Sequence, residues 1–177
     1  MVVSADRVEV DNYTLIGDRI IGVDLEQPEL TDVRIEDSDL SGVVLTSPTI
    51  RRASLLRTRL RDCVFGGAMV QDTEVNECPT EQLIARFATL QRVTFRGCLL
   101  AGADFYGVTF DKVAFEDCDL TGAHFDNAVV KDLTLRRCGL LGLTGALSLR
   151  GAHVDLDDLA ALAPSLAREA GLLFDVD

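Results

Sequence analysis

Residues 98–130 read CLLAGADFYGVTFDKVAFEDCDLTGAHFDNAVV, and their spacing decides the fold. Leu100, Phe105, Phe110, Phe115, Leu120, Phe125 and Val130 fall on every fifth residue. Two residues before most of them stands a small side chain: Cys98, Ala103, Cys118, Ala123 or Ala128. Two residues after them lies glycine or a polar residue, Gly102, Gly107 and Gly122 among them. A period of five is neither the 3.6 of a helix nor the 2.0 of a strand. It needs a chain that turns a corner every five residues, with Gly, Asp or Asn to accept the turn.

The register extends in both directions without a slip. From Val10 to Leu140, 25 of 27 such centres are Leu, Ile, Val or Phe, the exceptions being Thr80 and Ala85. The position two residues later is glycine or polar at 26 of 27 places, with Phe87 the exception. Each unit therefore offers one small and one large inward side chain, then a corner.

Stretches such as LAGADFYGVTF (100–110) and DLTGAHFDNAV (119–129) resemble the pentapeptide-repeat family, and the resemblance covers residues 8 to 145. It implies an all-β fold, a right-handed quadrilateral β-helix in which four units make one square coil. About seven coils at the usual strand spacing of ~4.8 Å give a rod roughly 33 Å long over residues 1–145. Centres one coil apart then stack. Leu40, Leu60, Leu100, Leu120 and Leu140 share a face, Phe65, Phe105 and Phe125 the next, and Phe95 and Phe115 the face opposite those three. The first half departs from the pattern at the small position, with Val8, Tyr13, Asp18, Val23, Pro28, Val33, Val43 and Pro48, so its coils should be wider.

Composition narrows the function classes. A net charge of −12 argues against direct nucleic-acid binding and against an anionic membrane surface. No apolar run approaches the ~18–20 residues of a membrane span, and MVVSADRVEV lacks the pattern of a signal peptide. Five cysteines without an export signal suit reduced thiols in a cytoplasmic protein. Cys78, Cys98, Cys118 and Cys138 recur every twenty residues at the small inward position, where cysteine serves as an apolar filler. There are two histidines, His124 falling at an outward position, and no phosphate loop or metal-ligand spacing. No catalytic, cofactor-binding or metal residue is expected, and the chain reads as non-enzymatic.

Two segments break the pattern. In PTEQLIARFAT (79–89) the weak centres Thr80 and Ala85 coincide with helical spacing of Leu83, Ile84 and Phe87. The expectation is a short loop or helix projecting from the rod, with two distorted faces as the alternative. Those three residues are candidate partner-binding residues. After Gly145 the repeat stops, and residues 146–177 read as a helical cap with Asp155 and Asp158 at the helix start, Pro164 inside it and Gly171 at its end. Leu159, Leu162, Ala163 and Leu166 lie on its apolar stripe as candidate dimer-interface residues. The tail resembles that of the mycobacterial fluoroquinolone-resistance branch of the family, which implies a homodimer through this segment.

Two functions follow. The first is an interaction scaffold with a protein partner. The second, implied by the resemblance to gyrase-protecting Qnr-type members, is mimicry of duplex DNA that modulates DNA gyrase or topoisomerase and confers quinolone-type resistance. Its candidate contacts are Asp24, Glu26, Asp117 and Asp119. A duplex carries one charge per ~1.7 Å, so a mimic of this length needs about twenty. Residues 1–40 hold 11 acids and 3 bases, but residues 41–100 hold 5 acids and 8 bases, with Arg51, Arg52, Arg57, Arg59 and Arg61 as a basic belt. That belt is expected to pair with neighbouring acids, and it interrupts any continuous acidic track.

Overall fold

The computed structural model describes residues 2–4 and 7–172. The turn chemistry at the corners generates the architecture. Left-handed φ values recur at the expected corner positions, carried by glycines such as Gly102 (67°) and by polar residues such as Asp117 (54°). Between corners the chain is extended, and each coil pairs in parallel with the coil twenty residues away. Val93 thus lies opposite Val113 and Phe95 opposite Phe115. The result is a four-sided β-solenoid of about seven turns with a C-terminal helix.

The strands are β1 (Val2–Ser4), β2 (Arg7–Ile16), β3 (Asp24–Glu26), β4 (Glu29–Glu36), β5 (Val44–Thr46), β6 (Thr49–Arg51), β7 (Ser54–Leu56), β8 (Met69–Asn76), β9 (Thr89–Arg96), β10 (Thr109–Glu116), β11 (Val129–Arg136) and β12 (His153–Val154). One sheet runs β1-β2-β4-β6-β8-β9-β10-β11-β12, with β7 between β4 and β8. Its long strands wrap two adjacent faces. The other two faces are held by β3–β5 and by single bridges twenty residues apart, such as Asp39 with Arg59 and Ile84 with Asp104.

Stacking fills the core as the spacing requires. Phe105 and Phe125 stack at 5.2 Å between ring centroids, and Phe95 and Phe115 at 4.8 Å. Phe105, Phe110, Phe115 and Phe125 are fully buried. Each buried centre contributes about 1.5–3 kcal/mol from apolar burial. The first half is looser. Leu30, Leu55, Val70 and Phe65 are only partly buried, and an apolar cavity of about 120 Å³ runs between them and Ala85. The four aligned cysteines and Cys63 are free and buried. Their Sγ atoms donate to backbone carbonyls, as Cys138 does to Phe115 at 3.4 Å, and burial pushes the Cys138 thiol up to about 11.

Residues 79–89 form neither a projection nor a helix, which corrects the expectation. They continue the coil. Ile84 N–H donates to Cys63 O on one side, and Ala85 N–H to Asp104 O on the other, both at 2.8 Å. The two inward slots of this unit are exchanged: Leu83 fills the small one, Ala85 the large one, and both are buried. Thr80 is buried because its hydroxyl donates to Leu99 O at 2.9 Å.

The last coil is closed by a 3-10 turn (Ala146–Leu149) and by α1 (Leu156–Glu169). Asp158 accepts the Cys138 N–H at 2.8 Å, and Glu169 accepts the N–H groups of Ala146 and Leu147 at 2.9 Å each. Leu162 is buried in the core, with Ala161 and Leu166 packed beside it. Pro164 stands inside α1 without dividing it. No helix among the described residues is long and apolar enough to cross a membrane.

Candidate interaction face

A side chain just before a centre points outward, and on one face three successive such positions are apolar. Val44, Val64 and Ile84 are linked by successive bridges, which continue to Asp104 and His124. At the corner beyond Ile84 stands Phe87, 65% exposed with φ of 60°. Among the described residues, the non-glycine positions with left-handed φ are otherwise polar or charged. A large apolar side chain there gains little burial and still bears the left-handed backbone cost of about 1–2 kcal/mol. Phe87 lies over Gly107, one coil later, where a Cβ would meet its ring. Its ring meets Tyr106 edge-on at 5.5 Å. Arg86 completes the group, 5.9 Å from the Tyr106 ring centre and 2.6 Å from Asp104 Oδ2.

The candidate residues from sequence are only partly brought together. Ile84 and Phe87 share this face, whereas Leu83 is buried in the core. Asp24 and Glu26 lie on the same face near the N-terminal end, in β3. Asp117 and Asp119 do not join them. Asp117 is clamped by Arg137 through two bonds of 2.5 and 2.7 Å, and Asp119 accepts the Thr121 N–H at 3.0 Å. In α1, Leu159 and Ala163 face outward, while Leu162 is consumed by the core and Leu166 is half-buried. Leu162 is therefore withdrawn as an interface residue. His124 is exposed, as its position requires, with Nδ1 3.0 Å from Thr144 Oγ1. Val64, Arg86 and Tyr106 were missed, and the signal for Val64 was available: apolar residues repeat every twenty at an outward position.

Four of the five belt arginines, Arg52, Arg57, Arg59 and Arg61, pair with acids. Arg52 binds Asp32, Arg57 binds Asp37, Arg92 binds Asp72 and Arg137 binds Asp117, each through two bonds to the residue twenty earlier. Arg59 meets Asp39 at 3.1 Å and Arg61 meets Glu81 at 3.3 Å. Hydrogen bonds from these guanidinium groups hold the carboxyls of Asp32, Asp37, Asp72 and Asp117 below the usual aspartate range. A depressed folded-state pKa gives stability that is present above the unfolded value and lost as pH falls through the folded one. The urea midpoint should stay flat from neutral pH down to the ordinary aspartate range and fall below it. The fall should be smaller in a D32N/D37N/D72N/D117N variant.

Coils of four five-residue units, each with an inward pair and a left-handed corner, define a solenoid that presents side chains in vertical ladders. Residues 88–144 match the family model of the pentapeptide repeat region. No curated protein matches by sequence. Among solved structures it is similar to HetL of Nostoc sp. strain PCC 7120, a pentapeptide repeat protein involved in heterocyst differentiation regulation. That similarity has 17% identity and a TM-score of 0.43, over 82% of this chain and 86% of that one. A trypsin-treated form of QnrB1, a plasmid-mediated fluoroquinolone resistance protein, matches at 13% identity and TM-score 0.42, over 92% and 99%. Rfr23 of the cyanobacterium Cyanothece 51142 matches at 15% identity and TM-score 0.28, over 81% and 88%.

Proposed function

We propose that the protein is a non-enzymatic scaffold, held in a reducing cytoplasm, that binds a protein partner through the face carrying Ile84, Phe87 and Tyr106. The observation that carries this reading is Phe87, exposed on a left-handed corner where it contributes little to the fold. Phe87→Gly relieves the backbone and removes the ring. Its stability should stay within about 1 kcal/mol of the parent, while partner capture is lost. Photo-crosslinking from position 106, followed by mass spectrometry, identifies the partner in the parent. An undiminished crosslink in the Phe87→Gly variant defeats the proposal.

DNA gyrase bound by mimicry of duplex DNA is the second reading, supported by the acidic first forty residues. The paired arginines count against it, because acids and bases alternate along the corners at Asp32, Arg52, Asp72 and Arg92. A supercoiling assay with and without a fluoroquinolone decides it: inhibition or drug protection that fades as salt rises supports the mimic, and no effect removes it.

The same scaffold would act as a homodimer through the outward side of α1, where Leu156, Leu159 and Ala163 are exposed. L156E/L159E should convert a dimer to a monomer in sedimentation velocity without changing the helical circular dichroism. A parent that sediments as a monomer at all concentrations rejects this part.

A further inference from the structure

One coil in the middle of the rod is underfilled. Its four inward centres are Val70, Val75, Thr80 and Ala85. The coil before it carries Ile50, Leu55, Leu60 and Phe65 at those places, and the coil after it Leu90, Phe95, Leu100 and Phe105. Leu83, in the small slot, returns only part of the lost bulk, and the apolar cavity of about 120 Å³ remains. All four small centres line it, with Phe65 on one side and Phe105 on the other.

The missing bulk has a shape. The ladder Phe65, Ala85, Phe105, Phe125 lacks one ring, and its next step, Phe105 on Phe125, is 5.2 Å between centroids. Phe65 and Phe105 belong to coils two strand spacings apart, about 9.6 Å. That separation leaves the place of one ring over Ala85, at the step the ladder already uses. The lining offers nothing polar to an occupant. Its only hydroxyls are those of Thr73 and Thr80, which donate to Gln71 O at 3.0 Å and to Leu99 O at 2.9 Å. A buried water needs about two to four polar partners, whereas an apolar molecule of matching shape restores the dispersion contacts that a void forfeits.

We propose that this coil is an internal binding site for a small apolar molecule built on a single aromatic ring, without charged or hydrogen-bonding groups. The ring sits over Ala85, between Phe65 and Phe105, and completes the ladder. A hydroxyl or carboxylate on it would be buried without a partner, so the site selects against polar analogues. Entry needs only a local opening of the coil, which folded proteins undergo at less than the global unfolding energy. The site lies inside the rod, apart from the Phe87 face, and its test does not depend on that reading.

The probe is benzene, titrated into the whole chain in sealed cells and compared with phenol. The methyl resonances of Val70, Val75, Leu83 and Ala85 should shift saturably with benzene. At a benzene concentration tenfold above its Kd, the folding equilibrium should move about elevenfold toward the native state, read as a raised urea midpoint. Phenol should bind at least about tenfold more weakly, because its hydroxyl finds no partner. Ala85→Leu and Val75→Phe each return bulk to the coil. Either variant, where it keeps the circular dichroism of the parent, should lose the benzene shifts. The absence of a saturable shift, equal binding of phenol, or undiminished binding by a folded, filled variant would each overturn the proposal. Shifts confined to Leu15 and Val23, which line a different cavity, would overturn it too.

Discussion

Truncating Phe105 to alanine will lower the stability of the folded protein by about 3–5 kcal/mol. The ring is fully buried and stacks on Phe125 at 5.2 Å, with edge contacts to Phe110 at 5.9 Å and Phe115 at 5.6 Å. The loss is large because the neighbours cannot collapse into the space. Each is fixed to its own coil by the parallel ladders, so filling the space would require the backbone itself to move. Phe105→Leu keeps most of the volume and should cost under about 1.5 kcal/mol. The measurement is urea unfolding followed by circular dichroism. A lowered midpoint at constant slope identifies lost native contacts. A loss below about 1 kcal/mol for the alanine variant would show that the core repacks.

Gly145→Ala is expected to be worse, at about 4 kcal/mol or more. Gly145 joins the last coil to the 3-10 turn with φ of 73°, and a Cβ there would run into the backbone of Phe125 and Asp126. Backbone cannot rotate aside as a side chain can, so the turn must lift. Glu169 would then lose Ala146 and Leu147, and α1 would leave the end of the rod. Gly142 is the control. Its φ is 70°, but nothing lies within 4 Å of an added Cβ, so Gly142→Ala should cost only the left-handed strain of about 1–2 kcal/mol. Equal losses in the two variants would mean that the close approach at Gly145 is not what seats the cap.

The period of five made the coil, its corners and its stacking legible before any coordinates. Leu100, Phe105 and Phe125 are buried where their spacing puts them. The misreading at 79–89 has a particular cause. Leu83 and Ala85 exchange large and small slots, so a rule that looks for bulk only at the centre sees a gap. Helical spacing of Leu83 and Phe87 then offered a false alternative, although one points inward and the other stands on a corner. Thr80 reads as a weak centre because its burial rests on a hydrogen bond to Leu99, which no hydropathy pattern records. Leu162 was assigned to an interface because a cap helix in contact with the rod has one apolar stripe to bury and can carry a second. The sequence periodicity alone does not separate the two, whereas burial does. The pairing of the arginines was anticipated in kind, and the partners of Arg52, Arg57, Arg92 and Arg137 follow from the same interval of twenty.

That interval gives the gene a second reading frame, nested above the codon. Strand partners stand twenty residues apart along most of the rod. Gain or loss of twenty codons therefore adds or removes one storey and leaves every later side chain on its own face. Gain or loss of five codons preserves the repeat equally well to the eye. It nevertheless turns everything downstream by a quarter-circle against everything upstream, parting the arginine–aspartate pairs that span the change. Length in such a lineage should change by whole storeys, and a quarter-turn should survive only where nothing on the faces below has to match what lies above.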